Sequence, residues 1–198
     1  GILVAIDGAP AGSLHVADPI RTDSVSAVTE FRKLGLDVVL LTGDVQATAE
    51  SVAREAGIGH VVAGVLPDGK VAEIRKLQEQ GRRVAMVGDG INDAPALAQA
   101  EVGIAMGSGT DIAIEAGDVT LLRPGLMGVA QAIALSRAAW SVMRQNLVWA
   151  LGYNVLAIPA AAFGFLSPVI ASAAMAMSSV SVVSNSLLLR RWQPERRQ

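Results

Sequence analysis

The chain is 198 residues long, 52% hydrophobic and 17% charged, with a net charge of −2 and no cysteine. That length holds one ordinary domain and a little more, the charge balance supplies no basic patch for a nucleic acid, and the missing thiols exclude disulfides, thiolate metal sites and cysteine nucleophiles from this segment. The apolarity is concentrated: no charged residue stands between Arg144 and Arg190, which leaves room for two membrane-spanning helices of about 20 residues and a tight turn.

Residues 1–17 read as two strands about a small Gly/Pro/Ala turn, a hairpin expected to end a preceding module. Gly1 to Ile6 has no basic leader, and a start without Met leads to the expectation that the chain begins inside something larger. From Asp18 the pattern becomes strand and helix in alternation. A helix is expected from Asp18-Pro19 to about Leu34, closed by Gly35, and a strand from Asp37 to Leu41 runs into Thr42-Gly43-Asp44. A helix from Val45 to Ala56 stops at Gly57, and a strand covers His60 to Val65. Leu66-Pro67-Asp68-Gly69-Lys70 leads into a helix ending near Gly81. Strands follow at Arg83 to Val87, Glu101 to Ala105 and Asp118 to Leu122, with a helix at Ser108 to Ala116. Short strands alternating with helices of ten or so residues predict an α/β fold, a parallel sheet with helices on both faces, over residues 18–126.

The most informative stretch is Val84 to Leu97, VAMVGDGINDAPAL. It reads as a buried strand that stops at Gly88 and delivers Asp89 and Asp93 to the strand end before a helix begins, where Pro95 is tolerated because first-turn amides lack intrahelical partners. Two carboxylates with the Asn92 amide suit a hard cation such as Mg²⁺ beside a phosphoryl group; helix capping is the plainer use of the same residues. Ligands of parallel sheets bind beyond the carboxyl ends of the strands. Thr42-Gly43-Asp44, Lys70 and Asp89 to Asp93 all follow strands and so fall on one edge. There a Thr hydroxyl donates to a phosphoryl oxygen, a Lys ammonium offsets its charge and the carboxylates hold the metal.

After Arg123-Pro124-Gly125 a long helix is expected from Met127 to Phe165 (127–165), running from the sheet domain into the first span as a mechanical link. The chain reverses at Gly164 to Pro168, a second span covers 168–189, and residues 190–198 form a tail. Arg144 before the first span and Arg190, Arg191, Arg196 and Arg197 after the second predict both ends on the cytoplasmic side. Tyr153 and Asn154 lie mid-span in the first helix; Met175, Met177, Ser178 and Ser179 lie mid-span in the second. Met175 and Ser179 are four apart and share a face. A thioether suits Cu(I), and the carboxylates that harder ions prefer are absent from both spans. Ser and Met are also ordinary packing material in membranes, and that alternative stays open here.

Together these residues resemble the P-type ATPases, and within them the heavy-metal pumps, most closely the copper(I)-exporting branch. Thr42-Gly43-Asp44 resembles the family's TGD motif, Pro67 to Lys70 its phosphate-contacting lysine segment, and GDGINDAPAL at 88 to 97 its hinge and metal motif. The resemblance implies a haloacid-dehalogenase-like fold followed by a two-helix transmembrane hairpin. It implies that Asp89, with Asp93, binds the catalytic Mg²⁺, that Asn92 and Asp93 orient the site, and that Thr42, Gly43, Asp44 and Lys70 handle the phosphoryl group of ATP. Tyr153, Asn154, Met175 and Ser179 would line the transported Cu⁺ site, in an integral protein of a plasma membrane of the bacterial inner type. Asp7 partly resembles the nucleophile of haloacid dehalogenase phosphatases, but the second Asp and the Thr of that pattern are missing, so it is read as a turn residue.

The family's phosphorylated aspartate, in an Asp-Lys-Thr-Gly-Thr stretch, is not in this sequence. The chain is therefore expected to be the C-terminal third or so of a pump, inactive alone, with the nucleotide-binding, actuator and earlier membrane segments as its partners. Zinc or cobalt transport is the alternative among pumps. A soluble phosphatase has no use for the uncharged stretch, and a non-catalytic truncated membrane homologue would show no Mg²⁺ affinity at Asp89 and Asp93.

Overall fold

The computed structural model describes residues 2–14, 19–107, 109–123, 125–165 and 167–193. It divides into two compact units, Gly1–Gly128 and Val129–Gln198.

The first unit opens with an antiparallel hairpin, β1 (Ile2–Ile6) and β2 (Ala9–Leu14), whose ladder shifts register between Val4 and Ala5, where Pro10 stands opposite Ala5. Asp7 turns the hairpin at φ 52°, a left-handed conformation that Asp tolerates better than most side chains. The turn-residue reading of Asp7 agrees with that geometry.

Helix α1 (Ser24–Lys33) begins later than expected. Asp18 lies outside the described residues, and Pro19 to Asp23 form no helix. The first helical bond runs from the Ala27 amide to the Asp23 carbonyl, while the Asp23 carboxylate accepts a hydrogen bond from the Met127 amide at 3.1 Å. Asp23 is thus the backbone cap of α1, while its side chain caps a different helix. Strand β3 (Val39–Leu41), α2 (Gln46–Ala56), β4 (His60–Val62) and α3 (Pro67–Glu79) follow as predicted, with the strands two or three residues shorter. Next come β5 (Ala85–Gly88), a single 3₁₀ turn at Ile91–Asp93, α4 (Ala94–Gln99), β6 (Val102–Met106), α5 (Asp111–Ala116) and β7 (Val119–Leu121). Ser108, the expected start of α5, lies outside the described residues.

All pairings after the hairpin are parallel, but they form two ladders, β3–β4 and β5–β6–β7. The single sheet expected from the alternation is therefore divided into two ladders among the described residues. Strand β6 is the core of the larger ladder: Ile104, Ala105 and Met106 are buried, as are Leu97 of α4, Ile74 of α3 and Ala113 of α5. Burying a side chain such as Ile74 or Leu97 contributes about 1.5–3 kcal/mol. This packing holds the carboxyl end of β5 in place.

Helix α6 (Leu126–Ala162) and α7 (Pro168–Leu188) are both long and apolar enough to cross a membrane. Helix α6 ends three residues short of expectation: Phe163 and Gly164 leave the helix in a turn, with Gly164 at φ 77°. At 37 residues it is about 55 Å long, well beyond the roughly 30 Å of a hydrocarbon core, so only its uncharged part after Arg144 can lie in lipid. Within that part every residue of α6 is exposed except Asn146, Ala150, Tyr153, Ala157 and Ala160, which are half-buried. On α7 the half-buried residues are Ala171, Ala174, Ser178, Ser181, Val182 and Asn185. Val182 apart, each step up one helix has an equal step down the other, so with Asn146 paired to Asn185 the helical spacing aligns Tyr153 with Ser178 and Ala160 with Ala171. This is one antiparallel seam at helical spacing. Every other side chain of the pair within the span faces outward, a pattern that suits lipid or further helices rather than water.

Candidate functional site

The carboxyl end of β5 carries the strongest constellation. Lys70, in the first turn of α3, donates from Nζ to Asp93 Oδ1 at 2.6 Å, and the two side chains keep only 15% and 14% of their exposure. The second oxygen of Asp93 accepts from the Gly90 amide at 3.2 Å. Asp93 can tuck under the strand tip because Gly88 has no side chain: a Cβ there would lie 2.7 Å from Asp93 Cβ. Both oxygens of Asp93 are therefore engaged. Lys70 spends one of its three N–H donors on Asp93 and has no other hydrogen-bond partner among the described residues, which leaves two donors for an anion.

Asp89 is exposed, and its carboxylate makes no hydrogen bond or ion pair among the described residues. Its backbone is fixed by contrast: the Asp89 carbonyl accepts from the Thr110 amide at 3.0 Å, and Thr110 also caps α5 through its hydroxyl. Gly109 lies directly against it, so close that a Cβ would be 2.6 Å from the Asp89 carbonyl oxygen. The Gly107 to Thr110 loop is the part of the site that the sequence reading missed. Its signal was the cluster of small residues after β6, which mark a close backbone approach. Asn92 is exposed in the 3₁₀ turn beside Asp93.

Thr42 and Asp44 make a local pair. The Thr42 hydroxyl donates to Asp44 Oδ2 at 2.9 Å and accepts from the Asp44 amide at 3.1 Å. Gly43 stands between them and is exposed. The Val65 amide donates to the Thr42 carbonyl and the Gly64 amide to the Asp44 carbonyl, which ties this loop to the approach of α3 and so to Lys70. No hydrogen bond joins Thr42 directly to Lys70, Asp89 or Asp93 among the described residues. Lys70 and Asp93 are thus in contact, Asp89 is held beside them by backbone, and Thr42 connects through an intervening loop.

The described residues include no group of three or more His, Cys, Asp or Glu side chains placed to cage a metal. One free carboxylate at a strand tip does fit Mg²⁺, which is usually held by one or two carboxylates and takes the rest of its shell from water and substrate phosphates. With Asp93 committed to Lys70 and Gly90, the free carboxylate is that of Asp89.

In the membrane pair, Tyr153 faces the seam, whereas Asn154, Met175 and Ser179 are exposed, Met175 at 72%. Asn154 donates to the Ala150 carbonyl at 2.9 Å and Ser179 to the Met175 carbonyl at 3.2 Å, each within its own helix. No contact joins the four into a closed site. Helical geometry nevertheless puts three of them on one side. Successive residues are rotated by about 100°, and in an antiparallel pair with Tyr153 opposite Ser178, Asn154 from one helix and Ser179 and Met175 from the other turn to the same flank.

The haloacid dehalogenase-like hydrolase family matches residues 2–101. The chain is 57% identical over 190 residues to the copper-exporting P-type ATPase of Bacillus subtilis, covering 96% of this chain and 24% of that protein. It is 56% identical over 191 residues to the probable copper-exporting P-type ATPase V of Mycobacterium tuberculosis, covering 96% and 25%. Among solved structures, a zinc-transporting PIB-type ATPase in its E2.Pi state superposes with a TM-score of 0.86 at 40% identity, over 94% of this chain and 31% of that one. The chain spans about a quarter of the length of the curated relatives it matches.

Proposed function

The chain belongs to the haloacid dehalogenase-like hydrolase family and, within it, to the copper-exporting branch of the heavy-metal P-type ATPases, and from that premise we propose that it serves an ATP-driven pump exporting Cu⁺. In this reading its first unit handles the phosphoryl group, which passes from ATP to an aspartate in a part of the pump this chain does not span. The remaining segments of that pump, with the nucleotide-binding and actuator domains, are its partners. The observation that carries the reading is the Lys70–Asp93 pair beside the free Asp89 carboxylate at the tip of β5, in a chain that also holds two membrane-length helices.

Each residue then has a task. Lys70, oriented by Asp93, directs its two remaining donors at the phosphoryl oxygens and offsets their charge. The Thr42 hydroxyl has one proton, held by Asp44 in this structure, and redirects it to the same group when the phosphoryl is bound. Asp89 holds Mg²⁺, which when bound neutralises further charge on the phosphoryl oxygens. The Gly109-Thr110 backbone keeps Asp89 in position, and Asn92 orients the turn beside it. In the membrane, Asn154, Met175 and Ser179 offer oxygen and thioether donors on one flank of the hairpin, Tyr153 supports them from the seam, and further segments of the pump close the site. Arg144 and Arg190 set both ends of the hairpin on the cytoplasmic side of a bacterial inner membrane.

A zinc pump is the second reading, favoured by the likeness to a zinc-transporting structure. The hairpin argues against it, because no Asp, Glu, Lys or His lies between Gln145 and Leu189 and Met175 is a soft ligand. The test is ATPase activity of the full-length parent in membranes with Cu(I), Ag(I) and Zn(II), alongside Met175→Ala and Asp89→Ala. Stimulation by Cu(I) and Ag(I) that Met175→Ala removes is expected, with phosphoenzyme lost in Asp89→Ala. Stimulation by Zn(II) alone, or normal phosphorylation of Asp89→Ala, would overturn the corresponding half of the reading.

A further inference from the structure

The seam between α6 and α7 is lined mostly by alanines and serines, and it ends in a polar cluster. Asn185 donates to Asn146 Oδ1 at 2.9 Å and to Gln145 Oε1 at 3.2 Å, and Asn146 donates to Ser186 Oγ at 2.8 Å. These are the only hydrogen bonds between the two helices among the described residues. They lie near Arg144 and Arg190, at one end of the uncharged stretch.

Small residues such as these alanines and serines do not by themselves fix a register in lipid. Without a hydrophobic force between the helices, sliding one past the other by a turn exchanges one set of small contacts for another. A polar pair at a half-buried position does favour one, as a single Asn fixes register in a coiled coil, because any slip gives up its specific amide hydrogen bonds. Asn146 lies seven residues before Tyr153 and Asn185 seven after Ser178, which is two turns on each helix and therefore the same face, about 10.5 Å away. Pairing Asn146 with Asn185 sets Tyr153 opposite Ser178. That pairing in turn brings Asn154, Met175 and Ser179 to one flank.

We propose that the Asn146–Asn185 amide pair, buttressed by Gln145 and Ser186, is a register lock whose role is to position Asn154, Met175 and Ser179 for the transported ion. The positioning role rests on the pump reading above; the lock itself does not. Asn146 and Asn185 are positioning residues and touch no ion.

The experiment uses the full-length parent in membranes, with cysteine pairs that report register without metal. Ala157→Cys with Ala174→Cys reads the native register, and Ala157→Cys with Ser178→Cys reads a slip of one turn. With Asn185 intact the native pair should cross-link and the slipped pair should not. In Asn185→Leu the two yields should come within about two-fold of each other, and Asn185→Gln, which keeps the amide, should restore selectivity. In the parent without the engineered cysteines, Asn185→Leu should raise the Cu(I) concentration for half-maximal ATPase activation about ten-fold while the maximal rate changes less than two-fold. The Asn146→Leu, Asn185→Leu double variant should be no worse than either single variant. Unchanged selectivity in Asn185→Leu, or loss of both cross-links, would overturn the lock. Loss of selectivity with unchanged Cu(I) activation would overturn the positioning role. Loss of selectivity in a parent that no metal ion activates would leave the lock standing and refute the pump reading instead.

Discussion

Replacing Gly109 with alanine adds a single methyl group and should disable phosphoryl transfer. The new Cβ would lie 2.6 Å from the Asp89 carbonyl oxygen, 2.8 Å from the Met106 carbonyl oxygen and 2.9 Å from Asp89 Cα, all of them backbone atoms. No side-chain rotation relieves such a contact. Ordinary van der Waals separation begins at 3.4 Å, so the Asp89 backbone must retreat by roughly 0.8 Å, stretching the hydrogen bond that its carbonyl accepts from the Thr110 amide. Overpacking of this kind costs about 1–3 kcal/mol of stability, and a displacement near 1 Å at a reacting centre costs on the order of 100-fold in rate. Phosphoenzyme formation from ATP in the full-length parent, timed at fixed Mg²⁺, should therefore slow by about 10- to 100-fold. Gly59→Ala is the control: its Cβ would meet nothing within 4 Å, and its φ is not positive. A Gly109→Ala pump that phosphorylates at the wild-type rate would refute both the close packing on Asp89 and the role assigned to that carboxylate.

Lys70→Met should destabilise the first unit, because it strands the Asp93 carboxylate where only 14% of the side chain is exposed. Breaking a buried pair costs about 3–5 kcal/mol, and residual exposure here points to the lower end; thermal unfolding should show the loss, and adding Asp93→Asn should recover part of it. If Lys70→Met unfolds like the wild type, the pair is not the clamp described. Glu101 tests a pH dependence. Its carboxylate accepts the Val84 amide at 2.7 Å, and this bond, helped by Gln78 and Arg83, holds its pKa below the ordinary glutamate value. A carboxyl whose pKa is lower folded than unfolded stabilises the protein above its unfolded pKa, and that contribution fades as pH falls through the folded value. Glu101→Gln should thus be less stable than wild type near pH 7, with the difference shrinking as the pH falls below the ordinary glutamate range, measured by denaturant unfolding across pH. A difference that persists at low pH would mean the effect is not electrostatic.

The sequence by itself determined the local chemistry and its order. Periodicity separates strand from helix, so every element from β3 to β7 was found to within a few residues. The Asp89 to Asp93 string, Thr42-Gly43-Asp44 and Lys70 were legible because Gly, Pro and Asp at fixed spacing after apolar runs have few structural uses. The two spans were legible because an uncharged stretch from Gln145 to Leu189 has no place in water. Tertiary structure alone decided which groups meet. Local pattern carries no information on contacts between residues far apart in the chain. Only the fold could commit Asp93 to Lys70, leave Asp89 free and bring Gly109 against it. In the same way nothing local marks Asp23, whose carboxylate caps the Met127 amide more than 100 residues on. Alternation predicts parallel strands without naming neighbours, so the division into two ladders was invisible. The hairpin register is the clearest case: sequence places Asn146 and Asn185 only on helices, and their pairing exists only once the two helices lie side by side.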